Sequence, residues 1–110
     1  MSPADWLLLL IAARPSGGGL DPIRLQKGMF LLARESEIAP RERYWFVPYN
    51  YGPMSPAIYR DAEALVADGL AERLPVPGYS WTSLAATVRG RERAERLAEG
   101  IAPGRLVGVI

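Results

Sequence analysis

The sequence predicts one small domain of the α+β class. Three observations carry this reading: three helix-start signals of the same form, apolar residues recurring at helical spacing behind each, and two strand-like runs around Pro77-Gly78. A chain of 110 residues, 49% apolar and 23% charged, has the size and balance of one globular unit with one core.

Ser2-Pro3, Asp21-Pro22 and Ser55-Pro56 each set an N-cap residue before a proline at the first helical position, where the missing N–H costs nothing. Asp5, three residues after Ser2, can complete a capping box and complement the helix dipole. A first helix is expected over 3–13, ended by Pro15 and the glycines at 17, 18 and 19. A second is expected over 22–35, with Leu25, Met29, Leu32 and Ala33 on one side and Arg24, Lys27 and Arg34 on the other. Leu31 falls inside that basic sector, which calls for a second surface to cover it, and Gly28 on the same side would let another backbone approach.

Residues 44–51 hold five of the ten aromatic side chains and read as one short strand or extended segment. Pro48 confines it to an edge or a strand end, and Gly52-Pro53 supplies a turn into the next helix. That third helix is expected over 56–68, with Ile58, Tyr59, Ala62, Leu65 and Val66 inward, Ala57, Arg60, Glu63, Ala64 and Ala67 outward, and Gly69 at its end. Strands over 70–76 and 80–86 come next as a hairpin, and Thr87 then caps a last helix running to Glu99 and closed by Gly100. Residues 1–100 form the expected domain. Residues 101–110 form a tail carrying Leu106, Val107, Val109 and Ile110, which packs on the domain or a partner or begins a further element.

The order is helix, helix, strand, helix, a two-stranded hairpin and a closing helix. A third helix followed by a two-stranded wing is the layout of winged-helix domains, which belong to the helix-turn-helix class. About twenty residues separate the second and third helices, where that class has a turn of roughly three or four. The expectation is therefore winged-helix-like rather than a strict helix-turn-helix.

The stretch Asp21-Pro22-Ile23-Arg24-Leu25-Gln26-Lys27-Gly28-Met29-Phe30-Leu31-Leu32, then Phe46-Val47-Pro48-Tyr49-Asn50-Tyr51-Gly52-Pro53-Met54-Ser55 and Ile58-Tyr59, resembles uncharacterised bacterial and phage-associated winged-helix-like proteins of the YwgA type. A looser similarity is to the Panacea domain of antitoxins. The resemblance covers residues 21–60, and Ala86-Thr87-x-x-Gly90-Arg91 is similar to the end of many winged helices. It implies a winged-helix-like fold and a setting in phage defence, toxin neutralisation or gene regulation. It also implies a chain longer than one stopping at Ile110. No activity carries over residue by residue.

Composition narrows the chemistry. Cysteine and histidine are absent, which removes the thiolate nucleophile, the commonest general base and the commonest transition-metal ligands. Carboxylates show no paired motif or metal-ligand spacing, and Gly17 to Gly19 lack the lysine and preceding strand of a phosphate loop. A protein without enzymatic activity and without a cofactor is expected. The apolar run 6–13 is far shorter than the roughly 20 residues of a membrane span and has no signal-peptide flanks. A cytoplasmic location with no membrane association is expected.

The formal net charge is only +1, so contact with nucleic acid must come from local clustering. Arg24, Lys27 and Arg34, with Arg41 and Arg43 in the following loop, form the strongest basic excess and are the first phosphate candidates. Glu35, Glu37 and Glu42 interleave with them, so a solvated, salt-bridged surface is the competing reading. On the third helix Ala57 and Arg60 hold the positions a recognition helix would turn to the major groove, although Asp61, Glu63 and Asp68 make that helix net negative. Arg73 and the hairpin tip at 77–79 are the wing candidates. Arg91 with Glu95 and Glu92 with Arg96 are expected to pair along the last helix. The aromatic cluster Tyr44, Trp45, Phe46, Tyr49 and Tyr51 either glues the second helix to the third or offers a stacking platform, and Trp6 and Trp81 read as core. The leading expectation is a DNA-binding or regulatory module working as a homodimer on double-stranded DNA. The alternative is a protein-interaction module on the same fold, with the small residues Ala57, Ala64 and Ala67 suiting a helix-to-helix seam.

Overall fold

The computed structural model describes residues 1–14, 19–36, 38–49 and 52–101 of the chain. These form an α+β domain with α1 (Pro3–Ala12), α2 (Pro22–Glu35), a 3-10 turn (Pro40–Glu42), β1 (Val47–Tyr49), β2 (Gly52–Met54), α3 (Pro56–Ala67), β3 (Ala71–Pro75), β4 (Thr82–Ala86) and α4 (Val88–Glu99). The expected helix break at Pro15, Gly17 and Gly18, Glu37, the aromatic Tyr51 and the tail from 102 onward lie outside the described residues.

Local chemistry sets most helix ends. Ser2 and Asp5 form the reciprocal capping box at α1, each side chain accepting from the other residue's backbone N–H. Asp21 caps α2 by accepting from the Arg24 N–H at 2.8 Å. At the end of α3, Gly69 takes φ +76°, its N–H donates to Val66 and that of Leu70 donates to Leu65, the paired bonds of a Schellman motif. Thr87 accepts from the Gly90 N–H and donates its own hydroxyl proton to the Gly69 carbonyl, so one side chain starts α4 and ties it to the end of α3.

Helix α1 lies at the centre and packs against α2, α3, α4 and β4. Trp6, Leu7, Leu8 and Ile11 are shut away from solvent and meet Leu25, Met29 and Leu32 of α2, Ile58, Ala62 and Leu65 of α3, and Leu84 and Ala86 of β4. Each such side chain contributes about 1.5–3 kcal/mol by burial. Strands β3 and β4 pair antiparallel, Ala71 opposite Ala86 and Pro75 opposite Thr82. Pro77 and Gly78, with φ +83° at the glycine, supply the residues a type II turn needs between them. Leu20 adds a rung on the far side of β4, exchanging both backbone bonds with Leu84 at 2.9 Å. Beside that rung a Cβ on Gly19 would stand 2.4 Å from the Ser83 hydroxyl, so a side chain there would push the chain off β4.

Several sequence expectations are corrected. Residues 44–51 are not one strand followed by a Gly52-Pro53 turn: β1 and β2 form a hairpin of their own, with Pro48 opposite Pro53. Neither proline has an N–H, so they face each other at a position that exchanges no ladder bond. Ser55 starts α3 without a capping bond from its side chain. Trp81 is 45% exposed rather than core, and Tyr59 on α3 is also exposed. Among the described residues neither Arg91 with Glu95 nor Glu92 with Arg96 closes to an ion pair, and Arg91 instead donates to the Ala12 carbonyl at the end of α1.

Candidate nucleic-acid interface

Two glycines and one glutamine set how the surface elements are held. Gly90 faces the Leu70 carbonyl, and a Cβ there would lie 1.9 Å from that oxygen, so only glycine lets α4 sit against the entry to β3. Gly28 faces the Leu10 side chain of α1, so the neighbour its missing Cβ admits is a side chain and not the backbone anticipated. Gln26, buried within α2, grips the backbone of Ser55: the Ser55 N–H donates to its Oε1 at 2.8 Å and its Nε2 donates to the Ser55 carbonyl at 3.0 Å. A side-chain amide thus stands in for a neighbouring strand and fixes where α3 begins relative to α2.

The candidate basic residues fall into separate groups. Arg24 and Lys27, one helical turn apart on α2, line an open groove of about 470 Å³ with Asp21, Pro22, Ile23 and Trp81. Trp81 belongs to the β3–β4 hairpin and stacks on Tyr79 with ring centroids 4.2 Å apart. Arg73 of β3 lines the next recess, which shares Pro22 with the first and adds Tyr59 and Glu63 of α3. So Arg24 and Lys27 line one recess and Arg73 the next, with Pro22 as their shared wall. Arg34 lies ten residues beyond Arg24, roughly 15 Å along the helix axis. Arg41 and Arg43 are exposed at the 3-10 turn, which packs on α1, and Arg60 is exposed on α3. Ala57 is half-buried against the core and does not belong to the outer face.

Charge at this junction is mixed. Arg24 approaches Asp21 at 3.6 Å, Arg73 pairs with Glu63 across the hairpin and α3, and an Arg73 N–H also donates to the Thr82 hydroxyl at 3.3 Å. Both ion pairs are solvent-facing, so a phosphate displacing either carboxylate competes against only about 0–1 kcal/mol. Lys27 is exposed and has no ion pair among the described residues.

The aromatic cluster divides. Tyr44 is buried, and its hydroxyl donates to Asp61 of α3 at 2.6 Å. Burial first, then the hydrogen bond and charge of Asp61, raise its pKa far above the ordinary tyrosine range. Phe46 packs edge-on against Phe30 of α2. These two make the expected link from α2 to α3. Trp45 is 85% exposed, and Val47 and Tyr49 of β1 are exposed as well.

Sequence reasoning missed Trp81 and Ile23 as groove residues. Tyr79 and Trp81 both follow the Pro77-Gly78 tip, two residues apart, and both are exposed. Among the described residues no group of three or more potential metal ligands occurs, and no helix is long and apolar enough to cross a membrane. Comparison with models of protein families, with curated proteins and with solved structures finds no match.

Proposed function

We propose that the chain is a winged-helix-like regulatory module that binds double-stranded DNA with the groove between α2 and the β3–β4 hairpin. The observation that carries this reading is that Arg24 and Lys27 line one groove with Trp81 of the hairpin, while Arg73 lines the recess that shares Pro22 with it. The Leu20 rung next to β4 supports the fold assignment, because it places a short extended segment between α1 and α2 against the wing. In this reading Arg24, Lys27 and Arg73 take phosphate, and Trp81 and Tyr79 lie along the backbone or minor groove. Helix α3, with Glu63 on its outer face, has a secondary part.

About three phosphate contacts on a nearly neutral domain give weak binding with a shallow sequence preference. A homodimer would double the contact set, and Ala64 and Ala67, exposed on α3, are the small residues that would form its seam. Indole N–H resonances of the three tryptophans test the reading: titration with duplex DNA should shift Trp81 and leave buried Trp6 in place. An unmoved Trp81 at saturating DNA would contradict it.

The second reading, a protein-interaction module, rests on one specific observation. Trp45, Val47 and Tyr49 are exposed in and beside the β1–β2 hairpin. In the same titration it predicts that DNA moves none of the three indoles.

A further inference from the structure

The groove between α2 and the β3–β4 hairpin is lined by two unlike kinds of side chain. Arg24 and Lys27 bring positive charge, while Pro22, Ile23 and Trp81 are apolar and border the same space. Ile23 is 49% and Trp81 45% exposed, so two large apolar side chains stand open to solvent beside two cations. The volume of about 470 Å³ lies within the range of about 300–1,000 Å³ usual for sites that take a small organic group. Tyr79 stacks on Trp81 with ring centroids 4.2 Å apart, which steadies the indole before anything binds.

We infer that the groove takes a single unpaired nucleotide of a DNA strand, its base stacked on Trp81 and its phosphate held by Arg24 and Lys27. The inference rests on the assignment of this groove to DNA and names the part of the DNA that enters it. Charge alone would suit the backbone of any duplex, and an exposed indole adds nothing to a phosphate. What the indole fits is the flat face of a base, which stacks on aromatic rings whatever its identity. In an intact duplex both faces of a base are covered by its neighbours. Uncovering one costs unstacking energy, least where the base is already unpaired. An overhang or a gap therefore presents the fitting group without that cost. Asp21 offers the phosphate little opposition, because its carboxylate already accepts from the Arg24 N–H at 2.8 Å and pairs with the Arg24 side chain at 3.6 Å. Lys27 is exposed, has no ion pair among the described residues and is the readier cation of the two.

Competition anisotropy with the full chain at low salt tests this on three DNAs: a blunt duplex, the same duplex with a short thymidine 3′ overhang, and that overhang with abasic sugars in place of the thymidines. The thymidine overhang is expected to bind at least about fivefold more tightly than the blunt duplex, the lower end of what stacking one base on an aromatic ring contributes. The abasic overhang carries the same phosphates and should lose that gain. Trp81→Ala should abolish the preference for overhang over blunt end, whatever its effect on blunt binding, and Trp81→Phe should restore part of it. Equal affinity of the wild-type chain for overhang and blunt duplex would overturn the inference and leave the groove assigned to DNA. A preference that survives Trp81→Ala, or that the abasic overhang keeps, would overturn it as well. Failure of all three DNAs to bind overturns the inference and the DNA reading together. If free thymidine monophosphate shifts the Trp81 indole signal while the overhang gains nothing, the groove belongs to a free nucleotide and the inference fails.

Discussion

Gln26 and Ser55 are joined by two buried hydrogen bonds, side-chain amide to backbone, across 29 residues of sequence. The glutamine is in the middle of α2 and the serine opens α3, so this pair sets the geometry of the two helices over the irregular segment between them. Replacing Gln26 by Leu keeps the volume and strands the buried Ser55 N–H, while the Ser55 carbonyl keeps its bond from the Ile58 N–H. A stranded donor costs about 1–3 kcal/mol, and a loss of that size in urea unfolding is expected. Ser55→Ala leaves both backbone bonds in place and should cost less than half as much.

Gly90→Ala should be among the most damaging single substitutions. Its methyl group would meet a backbone carbonyl, which cannot step aside without moving β3, and a loss of about 3 kcal/mol or more is expected from thermal unfolding. Gly28→Ala is the control. Its Cβ would approach the far end of Leu10 at 2.8 Å, which a rotamer change can relieve, and the helix gains up to about 1 kcal/mol in propensity. The net change should stay within about 1 kcal/mol.

The Tyr44 to Asp61 bond predicts an alkaline limb in stability. The hydroxyl holds its proton in the folded state to a higher pH than in the unfolded chain, where a tyrosine titrates near pH 10. Above about pH 10 the unfolded state binds fewer protons than the folded state, so stability is complete below that point and falls as pH rises further. Urea midpoints measured between pH 8 and pH 11 should show this fall, and Tyr44→Phe should flatten it. The same substitution should cost about 1–2 kcal/mol at neutral pH through the lost bond to a carboxylate.

Trp81 separates binding from stability. Its stack on Tyr79 is half open to solvent, and such pairs are worth about 0.5–1.5 kcal/mol, so Trp81→Ala should unfold nearly where the parent does. If the groove is the DNA site, the same variant should bind duplex DNA more weakly. Unchanged affinity would remove the hairpin from the interface.

Elements governed by their own sequence were legible. The caps at Ser2, Asp21 and Thr87, the span of α2 and the β3–β4 hairpin around Pro77-Gly78 are set by neighbours within four residues or by a turn signal. The readings that failed depend on distant partners. Ser55 lacks a side-chain capping bond because Gln26, 29 residues away, sets the backbone there. Arg91 turns from Glu95 to the α1 carbonyl because α4 lies against that end of α1. The β1–β2 hairpin was hidden by its two prolines, which each argue against a strand alone and are compatible with one only when they face each other. Of the site, the basic character of α2 was readable and its meeting with Trp81 was not, since no local signal says which ribbon packs over which helix.

The most direct test of the central claim is fluorescence anisotropy of the wild-type chain and of Arg24→Ala/Lys27→Ala against random and promoter-region duplexes across a salt series. With about three phosphates contacted, log K should fall against log salt with a slope near −2.7, and the double variant should bind more weakly with a slope shallower by about 1.8. Absence of binding at low salt, or a variant whose slope equals the parent's, would contradict the assignment of this groove to DNA.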